Sequence, residues 1–124
     1  MSVEEEIRAC LKKLEALLSE IEELRGVIGD KQQLFGAEKK SAKEKLKIFK
    51  KKLDDEHWRI STRRSKANLN ETEKKYYAPA VRQASANFRI RMNSIPGSMW
   101  QAELGELASE INIHIDQVRQ QLKP

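Results

Sequence analysis

His57, His114 and Cys10 are the side chains of this 124-residue sequence best suited to metal or nucleophilic chemistry near neutral pH. Their spacing supports neither. A metal pair inside a helical bundle needs inward glutamates and paired Glu-x-x-His motifs, and the nearest pattern is a single Asp54-x-x-His57. His114 follows Glu110 by four residues, which fits a packed, hydrogen-bonded imidazole better than a ligand. Neither histidine has a serine or cysteine at a spacing that would make a nucleophile–base pair, and no glycine-rich loop could cradle a phosphate. Cys10 lies next to Leu11 in a leucine-rich stretch and reads as a small buried hydrophobe, its basic neighbours being Arg8 and Lys12. The sequence thus predicts a non-enzymatic protein with no catalytic residue, no metal site and no cofactor.

Charge points further. Residues 1–30 carry eight acids against four bases, a net of −4, and residues 38–66 carry twelve bases against five acids, a net of +7. Residues 67–124 are close to neutral. In the basic stretch, lysines at 39, 40, 43, 45, 47 and 50–52 precede Arg59, Arg63, Arg64 and Lys66, with Trp58 among them. Such density can neutralise the phosphates of a nucleic acid. It can equally solvate a helix face and offset an acidic helix lying beside it. The residues expected to reach an acidic partner or a nucleic acid are Lys47, Lys51, Arg59, Arg63, Arg64 and Lys66. Trp58 and Trp100, placed near helix ends, are expected to be exposed anchors for a partner.

A helical rhythm must position these groups. Stepping from Ile7 to Ile60 by alternating fours and threes, twelve of sixteen slots are apolar, twice what a chain that is 39% hydrophobic gives by composition. This is the seam of helices packed lengthwise, and Leu11, Leu14, Leu18, Ile21, Leu46, Phe49 and Leu53 are its expected core or self-association residues. Beside it, Cys10, Leu17 and Leu24 widen the apolar stripe beyond what a two-stranded zipper needs, favouring a bundle with several neighbours.

Capping signals divide the chain. Ser2 with Glu5 opens the first helix, Asp30 with Gln33 a second over roughly 31–60, Asn70 with Glu73 a third, and Ser98 with Gln101 a fourth. Residues 61–69 read as a basic loop, and Pro79 should kink the third helix. The predicted fold is all-α: one domain over 1–124, an antiparallel bundle of about four helices with coiled-coil-like packing, 1–60 forming one hairpin and 70–124 another. Three glycines between Gly26 and Gly36 favour a turn there. The alternative is one long helix over 3–60 that pairs antiparallel with a second chain, followed by a two-helix hairpin. Either way, the acidic segment is expected to lie antiparallel against the lysine segment.

One cysteine, no apolar run of membrane-spanning length and no secretory signal pattern in the first thirty residues suggest a soluble, cytoplasmic protein. The functional expectation is a protein-interaction or regulatory module, a homodimer that also binds a macromolecular partner. Nucleic-acid binding through residues 39–66 is the alternative.

Overall fold

The computed structural model describes residues 2–62, 68–88 and 97–122, and among these the chain is a bundle of four helices without strands. Helix α1 spans Val3–Ile28, α2 Gly36–Ser61, α3 Ala78–Asn87 and α4 Ser98–Gln120. A π-helical turn, Glu73–Tyr77, leads directly into α3.

Local chemistry explains most of these boundaries. The Ser2 hydroxyl accepts from the Glu5 amide at 3.2 Å, and three glutamates occupy the positive first turn of α1. That helix stops at Gly29, whose φ of 63° is the left-handed conformation a Cβ disfavours; its amide closes on the Arg25 carbonyl at 2.9 Å. The chain therefore turns after Ile28, and the long 3–60 helix does not form. Asn70 and Glu73 exchange both capping hydrogen bonds, at 2.7 and 3.4 Å. The bend expected at Pro79 takes another form: in the π turn the Ala78 amide reaches back five residues to the Glu73 carbonyl. The wider turn absorbs the missing proline donor just downstream.

Two expected caps do not form. Asp30 and Gln33 lie in the 29–35 loop, and α2 starts at Gly36 behind Phe35, which offers no capping side chain. Gly97, not Ser98, precedes α4, and Gln101 is used elsewhere. Its side-chain amide donates to the carbonyls of Arg25 (3.1 Å) and Gly29 (2.8 Å), while its oxygen accepts from Arg25 Nε at 2.9 Å. One glutamine thus bonds two carbonyls at the end of α1, that of Arg25 alongside the Gly29 amide, and ties that end to α4. The 29–35 loop is fixed nearby: Gln33 bridges to Gly97, Ser98 N–H donates to the Gln32 carbonyl at 3.1 Å, and Leu34 is buried.

Every neighbouring pair runs antiparallel. In α1 and α4, Glu15 meets Arg119 and Arg25 meets Gln101. Between α2 and α3, Asp54 meets Ser85, and Phe49 packs on Phe88 with ring centroids 5.8 Å apart. From α3 to α4, Gln83 meets His114 and Asn87 meets Glu110. The most extensive packing joins α1 to α4, whereas α1 and α2 meet more loosely. The acidic helix does lie antiparallel beside the lysine helix as expected, but with little charge pairing: among the described residues a single ion pair, Lys52–Glu20, joins α1 to α2.

One continuous apolar core fills the bundle. Leu14, Ile21, Leu46, Phe49 and Leu53 are buried in it, with Leu11 and Leu18 half-buried at its edge. Trp100, expected at the surface, is 1% exposed and belongs to the core. No helix among the described residues is long and apolar enough to cross a membrane.

Candidate interaction surfaces

The outer face of α2 carries the basic signal. Lys40, Lys47 and Lys51 recur on the side of the helix turned away from Leu46, Phe49 and Leu53, and all three are exposed, with no ion pair among the described residues. Trp58 continues the same stripe, two turns beyond Lys51, and is 74% exposed. Arg59 is differently placed. Its guanidinium forks onto Glu56, with Nη2 at 2.6 Å and Nε at 3.1 Å, and Glu56 also accepts from the Tyr77 hydroxyl at 3.0 Å. The Arg59 hydrogen bonds hold the Glu56 carboxyl below its ordinary value, against the opposing effect of burial; the Tyr77 bond adds to the depression. Burial, followed by the Glu56 charge, pushes the Tyr77 hydroxyl upward. Arg59 is thus committed to an internal network that also includes Lys13, which bonds Glu73 at 2.8 Å and lies 5.1 Å above the Tyr77 ring. Arg63, Arg64 and Lys66 lie outside the described residues.

The histidines and the cysteine are each engaged by neighbouring side chains or buried. Ser85 from α3 sits between Asp54 and His57: its hydroxyl donates to Asp54 at 3.1 Å, and His57 Nδ1 lies 3.2 Å from the same oxygen. With that proton given to the carboxylate, the imidazole can only donate, so it is no base for the serine. Lys50 holds the other Asp54 oxygen at 2.8 Å. His114 bonds Gln83 at 2.6 Å, and burial lowers its pKa against the charge of Glu110. Burial pushes the Cys10 thiol up to about 11, with Glu73 adding to the shift, so it is protonated and shielded at neutral pH. Among the described residues no cluster of His, Cys, Asp or Glu could hold a metal ion.

The loose contact between α1 and α2 leaves a groove of about 610 Å³ open to solvent. Leu24 and Phe49 form its floor, with Val27 and Ile48 on its lips. Ile48 is 69% exposed and Val27 38%. Glu20 and Glu23 line the α1 wall, Lys45 and Lys52 the α2 wall. Farther along, a second hollow of about 380 Å³ shares Glu20, Phe49 and Lys52 and extends past Leu17 toward Tyr77. The flanking apolar positions Leu17 and Leu24 therefore face this groove.

Val27 and Ile48 were not singled out by sequence reasoning. The available signal was an isoleucine off the seam amid lysines, and a valine beside Gly26 at the end of an amphipathic stripe. Comparison with known proteins brings no relative: no family model, curated protein or solved structure matches the chain.

Proposed function

We propose that this protein is a non-enzymatic interaction module that works by self-association and by engaging a macromolecular partner. The observation that carries the reading is the α1–α2 groove, apolar along its floor and walled by charge. Large aliphatic side chains exposed beside an apolar cleft mark a surface that gains from being covered. His57 with Ser85, His114 with Gln83 and the buried Cys10 are all engaged in hydrogen bonding or packing, which supports a reading through surface recognition. A single buried, protonated cysteine suits a reducing compartment such as the cytoplasm.

A second reading is favoured by the exposed Lys47 and Lys51 with Trp58 beyond them. Cations interleaved with an exposed aromatic ring can track a phosphate backbone and stack a base. Two measurements separate the readings. Sedimentation equilibrium across the micromolar range should show mass above the 14.4 kDa of one chain. Retention on heparin or a random duplex through a salt series should be weak; a steep salt slope that K47E/K51E or R63A/R64A abolishes would instead establish the nucleic-acid reading. A chain that neither self-associates nor is retained at low salt would refute both.

A further inference from the structure

The walls of the α1–α2 groove carry opposite signs, acidic on α1 and basic on α2, and this makes the face complementary to itself. We propose that a second copy of this chain docks there, about a two-fold axis parallel to the helices, with Ile48 of each copy seated against Val27 and Leu24 of the other. This inference rests on the self-association reading and assigns it a face, an orientation and a register.

The geometry follows from where residues stand along the groove. Counting about 1.5 Å per residue in opposite directions from the Glu20–Lys52 pair puts Lys45 level with Val27 and Ile48 level with Leu24, with Glu23 roughly one turn along the same hollow. A two-fold axis parallel to the helices keeps each level in register and lays α1 of one copy over α2 of the other, antiparallel. Glu23 then opposes the other copy's Lys45, twice over, and Ile48 opposes the other copy's Val27. A two-fold perpendicular to the helices would instead lay α1 on α1 and α2 on α2, acid facing acid and lysine facing lysine. Like charges brought together at an interface oppose association, so the parallel axis is selected.

The charges needed are available. Glu23 and Lys45 are exposed and neither has an ion-pair partner within the described residues, while Glu20 and Lys52 already pair across the groove. Size is adequate too. Two 26-residue helices, each roughly 39 Å long and about 10 Å wide, present a face on the order of 800 Å², the amount a standard interface takes from each partner. Ile48, near the middle of α2, is the side chain that enters the other copy's groove and is its anchor.

Sedimentation equilibrium of the full chain tests this, with circular dichroism confirming that each variant keeps its helices; Ile48, Glu23 and Lys45 are all exposed, so the fold tolerates the changes. The wild-type mass should rise with concentration from 14.4 kDa toward twice that value. Ile48→Asp should weaken the dimer by about tenfold or more. E23K and K45E should each weaken it, since each makes both walls alike, yet an equimolar mixture of the two should regain a dimer. A wild-type dimer indifferent to all three substitutions would overturn the docking face while leaving self-association standing. A mixture that stays monomeric would overturn the axis, and a wild type fixed at 14.4 kDa would overturn the face and self-association together.

Discussion

At Gly97 the backbone runs at φ 152°, and a Cβ there would lie 1.9 Å from the Gln32 carbonyl oxygen, the acceptor for Ser98 N–H. Neither atom is a flexible tip, so the backbone itself would have to move. Gly97→Ala is expected to cost about 2–3 kcal/mol, read as a lower urea midpoint at unchanged slope. Glu56 shows a residue-scale effect that depends on pH. Its folded carboxyl binds a proton less tightly than the ordinary value of 4.5 because Arg59 hydrogen-bonds the charged form. Its contribution to stability is therefore present above pH 4.5 and is lost as pH falls through the lowered folded value. Glu56→Gln should flatten the acid limb of a stability–pH profile and leave a smaller difference from wild type at low pH than at neutral pH.

For the helices, the seam is graded. Leu14 and Ile21 are fully enclosed between α1 and its neighbours, whereas Leu11 and Leu18 lie at the edge. Leu14→Ala should cost about 2–5 kcal/mol and Leu18→Ala clearly less, by denaturant titration of each variant. If the two cost the same, the burial gradient along α1 is not as described. That seam was readable from residue spacing because period alone says which face of a helix is hidden. So were the caps at Ser2 and Asn70 and the turn after Ile28, each set by residues adjacent in the chain. Spacing does not say which helix lies opposite. That α1 packs chiefly on α4, and only loosely on α2, depends on contacts such as Arg25–Gln101 between residues 76 apart. Gln101 carries the pattern of an ordinary cap and is diverted by carbonyls that only the folded chain brings near it. Trp100 misled for a similar reason: a position close to a helix start is usually exposed, but the 29–35 loop folds over this end of the bundle.

At the level of the whole molecule, the groove is what remains when α1 commits to α4. Its local signal, Ile48 amid lysines and Val27 beside Gly26, is slight, because its walls come from two helices and its openness from a third. The two extremities of the bundle are also secured by different forces. At one, an exposed Lys31–Glu38 pair joins the 29–35 loop to α2, but Gln101, Ser98 and Gln32 are laced to their neighbours by amide–carbonyl bonds. At the other, the ties between elements, Lys13–Glu73 and Arg119–Glu15, are ionic and at least partly reachable by solvent. Dissolved ions weaken the second kind of tie and leave the first almost untouched. Raising ionic strength should therefore speed amide hydrogen exchange near Lys13 and Glu73 while protection around Gln32 and Ser98 holds, residue by residue in NMR. Equal acceleration at both extremities would contradict this. The molecule would breathe like a hinged book, its spine at the glutamine stitch and its pages parting first where Tyr77 lies under Lys13.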